Sequence, residues 1–162
     1  MVNRVRRGLL MGAPAALMLR PFAAVAQERL RIEITEGVIE PMPVAIPEFV
    51  PDTGEAMGLA AQIGQIVRDD LTGTGLFREI PREAHIGRIT TFDAPVQFTD
   101  WSAINAQALI TGAAGQTGDR IRIRFRLWDV FAQTQVGEGL QFEGSASAWR
   151  RMGHKVADAV YS

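Results

Sequence analysis

The chain contains no cysteine. Thiol nucleophiles, cysteine-ligated zinc and iron–sulfur clusters are thereby excluded, no disulfide can brace the fold, and no lipobox can anchor it. Histidine is nearly as scarce, with two in 162 residues. His85 has no second ligand nearby at metal spacing, and His154 has no Glu or His at i, i+4, so both read as surface or helix-face histidines. Ser102, Ser145, Ser147 and Ser162 lack a Gly-x-Ser-x-Gly setting. The neighbouring carboxylates Asp69 and Asp70 diverge on a helix rather than share a proton or metal. There is no basic excess, no internal repeat and no low-complexity tract. Catalytic, cofactor-binding and metal-binding residues are therefore expected to be none.

A long apolar run is missing as well. Gly8 to Leu19 is only about 12 residues, short of the roughly 20 that a spanning helix needs. Arg4, Arg6 and Arg7 precede it, and Ala24-Val25-Ala26 follows as an A-x-A exit. This is the pattern of a cleaved signal peptide over residues 1–26, with Gln27 as the new terminus and no stable membrane insertion. Arg6-Arg7 is compatible with twin-arginine export as well as the general route. Cleavage removes four arginines and no acid, so the formal charge moves from −1 to −5. An exported, mildly acidic domain points away from nucleic acid as a partner.

Residues 27–162 have the size of one domain with one core. Leu30, Ile32 and Ile34 alternate with Arg31, Glu33 and Thr35, which predicts a strand with one apolar face. Pro43 to Phe49 is extended, and its prolines predict an edge or a short strand. Pro51-Asp52-Thr53-Gly54 is a turn into a helix whose stripe is Leu59, Ile63, Ile66, Val67 and Leu71, with Gly73 as its stop. Leu76–Ile80 is a short extended piece, and residues 82–99 are irregular. A short helix is predicted over Trp101–Asn105, capped by Thr99 or Asp100.

Ala108–Thr111 reads as a buried strand, Gly112–Asp119 as a glycine-rich hairpin connection, and Arg120 onward as a second strand. In that strand Ile121, Ile123, Phe125 and Leu127 face one way, and Arg122, Arg124 and Arg126 the other. Gly112, Gly115 and Gly118 superficially suggest a phosphate loop, but such a loop leads into a helix, and this one leads into a strand. The arginine face, Arg120 included, is expected to be a solvated sheet face that discourages edge pairing. Thr134–Glu143 is a third strand with Gly137 and Gly139 at its start. A final helix capped by Ser145 or Ser147 carries Trp149, Met152, Val156 and Val160. Trp101, Trp128 and Trp149 are expected to pack in the core. The fold class is α+β or α/β-like, with a mixed sheet of about five strands and two main helices on one face.

The words DWSAINAQALITG and RFRLWDVF resemble the amino-terminal domain of TolB, in the form found in alphaproteobacteria. The resemblance covers nearly all of residues 27–162. It implies a non-enzymatic periplasmic interaction domain of the Tol–Pal system, linking TolA to the outer envelope. It also implies a part in outer-membrane integrity and in constriction during cell division. In that family the domain precedes a six-bladed β-propeller that binds the lipoprotein Pal. A propeller needs several blades of about 40 residues each, and none is encoded here. The chain stops at Val160-Tyr161-Ser162 within a helical pattern, so a fragment is expected, and Pal is a partner only through the missing propeller.

The resemblance places the TolA C-terminal domain on the extended segment at the mature terminus: Gln27, Glu28, Arg29, Leu30, Arg31, Ile32, Glu33, Ile34 and Thr35. Such an alternating segment can add to an exposed sheet edge of a partner, or remain as an edge strand of its own domain. Two rival readings are a standalone envelope-assembly module and a periplasmic enzyme. The enzyme requires a cleft of convergent acid and base groups that these residues do not supply.

Overall fold

The computed structural model describes residues 40–162. The signal region and the segment Gln27–Thr35 lie outside the described residues. The chain runs through β1 (Met42–Ala45), β2 (Val50–Pro51), α1 (Met57–Gly73), β3 (Phe77–Glu79), α2 (Phe98–Ser102), β4 (Ala108–Thr117), β5 (Arg120–Asp129), β6 (Thr134–Ser145) and α3 (Trp149–Tyr161). One mixed sheet has the order β3-β1-β4-β5-β6, and β2 also pairs with β4. Strand β1 is parallel to both β3 and β4, whereas β4, β5 and β6 form an antiparallel meander. The two main helices of the α+β expectation are α1 and α3.

Strand β1 is short, as its prolines predict, but it lies inside the sheet and not at an edge. Alternation along the strand explains how the proline is accommodated. Met42 N–H donates to Leu76 O at 2.8 Å and Val44 O accepts from Ile80 N–H at 2.9 Å, both on the β3 side. Pro43 therefore turns its nitrogen toward β4, where pairing begins only at Val44 opposite Ala108. No ladder bond is lost there.

The main core lies between the sheet and the two helices. Leu59, Ile63, Val67 and Leu71 of α1 and Met152 and Val156 of α3 pack on Val44, Ile110, Ile121, Ile123 and Phe125. The regular spacing of four in α1 keeps these side chains on one stripe. On the opposite face, the crossover between β3 and β4 folds back over the sheet. It brings Ile80, Trp101 and Ala106 onto Ala45, Leu109 and Val130 as a second apolar cluster.

Strand β4 departs most from the sequence-based expectation. The strand does not close at Gly112 but continues to Thr117, and the turn is only Gly118-Asp119. Gly118 takes the positive φ of 57° that places glycine first in a two-residue hairpin turn. Gly112 serves a different purpose, because the ring of Phe49 lies directly where its Cβ would be. Strand β6 is bulged: Val136 pairs with Leu127 and Leu140 with Phe125, so Gly137-Glu138-Gly139 stand opposite Arg126 alone.

Helix α2 begins three residues earlier than predicted and makes no side-chain cap bond, so neither Thr99 nor Asp100 caps it. Neither Ser145 nor Ser147 caps α3; their hydroxyls bond each other at 2.9 Å. A single turn of 3-10 helix, Ala146–Ala148, leads into α3 instead. Trp101 is fully buried as expected, whereas Trp128 and Trp149 are half-buried at the margins of the two clusters.

Candidate partner interface

The arginine row of β5 is the most organised polar surface among the described residues, and it is not simply solvated. Asp52 is brought to it by the chain leaving β2. Asp52 N–H donates to Ala114 O at 2.8 Å. The hydroxyl of Thr53 exchanges hydrogen bonds with the backbone of Gln116. The Asp52 carboxylate then accepts two hydrogen bonds from Arg124 Nη2, at 2.9 and 3.0 Å, and lies 3.8 Å from Arg122 Nη2.

The crossover supplies the second cover. Arg126 Nη2 donates to Asp93 Oδ1 at 2.8 Å and its Nη1 to the Phe92 carbonyl at 3.0 Å. Arg124 reaches the other Asp93 oxygen at 3.5 Å. The guanidinium carbons of Arg124 and Arg126 stand 4.4 and 4.3 Å from the centre of the Phe92 ring, a double cation–π arrangement. The hydrogen bond from Arg126 holds the Asp93 carboxyl below its ordinary pKa, with both arginine charges adding to the effect. Arg120, by contrast, remains mostly in solvent, 3.8 Å from Glu143. The expected solvated face is thus correct for Arg120 and wrong for Arg124 and Arg126. The covering residues are distant in sequence, and period-two alternation carries no information about them.

Arg68 was not legible as a buried group, since it sits beside Asp69 and Asp70 at the helix end. It is 5 % exposed on α1. Its Nη2 donates to Gln65 Oε1 at 3.0 Å and its Nε lies 3.7 Å from Glu79 Oε1. Burial lowers the Arg68 pKa and raises that of Glu79; at 3.7 Å the pair's attraction does not offset desolvation.

His154 lies on an exposed helix face, as read from the sequence, whereas His85 is half-buried and not at the surface. His154 Nδ1 bonds Asp70 Oδ2 at 2.6 Å and ties α3 to α1 on the surface. His85 packs edge-on against Trp101 and donates from Nε2 to Ile80 O at 3.1 Å, and burial pushes its pKa down. It borders an open cleft of about 670 Å³ with Glu48, Arg82 and Arg88, where Arg82 and Glu48 pair at 2.9 Å. Among the described residues no three His, Asp or Glu side chains converge as metal ligands, and no helix is long and apolar enough to cross a membrane. The outer edges of β3 and β6 carry no partner strand among the described residues.

A family model described as the TolB amino-terminal domain matches residues 30–136. The chain belongs to the TolB amino-terminal domain family. It is 59% identical over 155 residues to the Tol-Pal system protein TolB of Cereibacter sphaeroides, covering 94% of this chain and 35% of that protein. It is 60% identical over 134 residues to the TolB of Dinoroseobacter shibae, covering 82% and 30%. The crystal structure of TolB from Acinetobacter baumannii aligns with a TM-score of 0.57 at 26% identity, over 75% of this chain and 28% of that one. This TolB-family chain therefore spans about a third of the length of the curated relatives it matches. The family match begins within the Gln27–Thr35 segment and takes in the crossover, α1 and the arginine strand.

Proposed function

We propose that this polypeptide is the partner-binding amino-terminal part of a Tol–Pal system TolB protein. In this reading residues 1–26 are a signal removed on export, and residues 27–162 form a periplasmic, non-enzymatic interaction domain. Gln27–Thr35 engages the C-terminal domain of TolA. Through that contact the domain links the inner-membrane motor to the outer envelope, supporting outer-membrane integrity and constriction. Pal belongs to a propeller that residues 27–162 do not provide.

The observation that carries this reading is the family match over residues 30–136, together with relatives named as Tol-Pal system TolB. Physical chemistry supports the role of the leading segment. Apolar residues at Leu30, Ile32 and Ile34 alternate with Arg31 and Glu33. Backbone bonds to a partner's sheet edge supply affinity in such a mode, and the alternate side chains supply register. In this reading the segment lies at the terminus that signal removal creates, where a chain is in general least tethered.

The test is calorimetric titration of the TolA C-terminal domain into the processed protein and into a form lacking Gln27–Thr35. The processed protein binds and the shortened form does not, while its thermal unfolding transition is retained. Equal affinity for a folded shortened form overturns the assignment of the segment. Loss of folding on deletion indicates instead that the segment is a permanent strand of its own sheet.

A further inference from the structure

We propose that residues 90–95 form a displaceable lid over the arginine row of β5, and that the lid occupies a site for an acidic peptide segment of a partner. Such a segment would present an aromatic residue followed directly by a carboxylate. The proposal does not depend on the TolA assignment.

The way Phe92 is buried is the first support. Its side chain is buried, yet it belongs to neither apolar cluster; among the described residues it is the one large apolar side chain buried outside both. It rests on guanidinium groups. Lifting it breaks cation–π and charge-assisted contacts without opening the core. The stretch is also bounded on both sides. Ile89 and Val96 pack against the second cluster, so the residues between them can move while their flanks stay fixed. Among the described residues, the one backbone–backbone hydrogen bond of residues 90–95 is the local Ala94 N–H to Thr91 O, at 3.3 Å. The lid is therefore held to the sheet by Phe92, Asp93 and one carbonyl.

The row beneath is built for a ligand of the lid's own kind. Arg126 donates to a peptide carbonyl as well as to a carboxylate, which is the recognition of a polypeptide rather than of a free anion. The charges facing Asp93 and the ring are Arg124 and Arg126 from β5. Asp52, from the turn before α1, already takes both its close hydrogen bonds from Arg124. Arg122, at 3.8 Å from Asp52, has no nearer counter-ion among the described residues. Arg124 Nε is buried without a hydrogen-bond partner among the described residues. With the lid raised, Arg120, Arg122, Arg124 and Arg126 face Asp52 and Glu143, and the surplus is positive.

The lid's own sequence serves as the probe, as a labelled free peptide spanning residues 88–96. Fluorescence anisotropy measures its binding to the processed protein and to a Phe92→Ala/Asp93→Ala variant whose lid no longer competes. The variant is expected to bind at least about tenfold more tightly than the parent, the scale of one or two charge-assisted contacts uncovered. Adding Arg124→Gln and Arg126→Gln abolishes the gain, as does replacing the peptide's phenylalanine by alanine. Equal binding by parent and variant, or binding that survives loss of the arginines, overturns the proposal. A circular-dichroism melt establishes that each variant is folded. If the double variant does not fold, a 4-fluoro label on Phe92 of the parent replaces it, read by fluorine NMR in rising salt. A ring that becomes solvent-accessible while the circular dichroism is unchanged supports a lid, and a ring protected until global unfolding refutes one.

Discussion

Gly112→Ala is the sharpest test of the packing described here, because it adds a single methyl group. The new Cβ would stand well inside van der Waals distance of Cδ2, Cε2 and Cζ of Phe49. The ring has little room to retreat. It is 3 % exposed, and Gly64 of α1 lies against its other side, with a Cβ position 3.6 Å from Phe49 Cδ1. Overpacking of this kind costs about 1–3 kcal/mol and sometimes more. An overlap this deep belongs at the upper end of that range, and alanine recovers about 0.5–1 kcal/mol of glycine's backbone entropy, so a net loss of about 2 kcal/mol is expected. Phe49→Ala by itself should cost about 3–5 kcal/mol through the cavity it leaves. In that background the clash is gone, and Gly112→Ala should cost nothing or stabilise slightly. The coupling across the cycle is therefore about 2–3 kcal/mol. Urea unfolding followed by tryptophan fluorescence and circular dichroism, with unchanged m-values, measures it. Additivity within about 0.5 kcal/mol would show that the ring does not pack on Gly112. It would restore the reading of that glycine as a turn residue.

Phe125→Ala, on the core face of β5, is expected to lose about 3–5 kcal/mol. Arg124→Ala, on the opposite face, is expected to lose about 1–2 kcal/mol, because the Asp52 carboxylate loses its two short bonds; equal losses in denaturant titrations would reverse the assignment of faces. The His85 imidazole is favoured neutral by burial, so the unfolded chain binds more protons than the folded one just below the ordinary value of 6.5. Stability should therefore fall as pH drops through that value, and His85→Gln should remove that part of the slope; an NMR titration of His85 with a midpoint above 6.5 would contradict it. Intact-mass measurement of the exported protein should show Gln27 at its terminus, and retention of Arg4, Arg6 and Arg7 would place it at the membrane instead.

Local pattern settled much of this protein. The spacing of Leu59, Ile63, Val67 and Leu71 predicts α1, and the alternation from Arg120 to Leu127 predicts β5, because each period maps directly onto one buried face. The words DWSAINAQALITG and RFRLWDVF pointed to the family that the residue 30–136 match shows. What the tertiary structure decided is who covers whom. Gly112 reads locally as a turn glycine, and only the approach of Phe49 reveals it as a strand position that cannot carry a side chain. Pro43 reads as an edge residue until the register shows its nitrogen facing a stretch where β4 has not begun. The arginines of β5 read as a wet face, since Asp52, Phe92 and Asp93 are tens of residues away and carry no periodic signal. Periodicity reports the environment of a residue relative to its own element. Contacts between elements depend on crossovers whose paths are fixed only when the whole sheet is assembled.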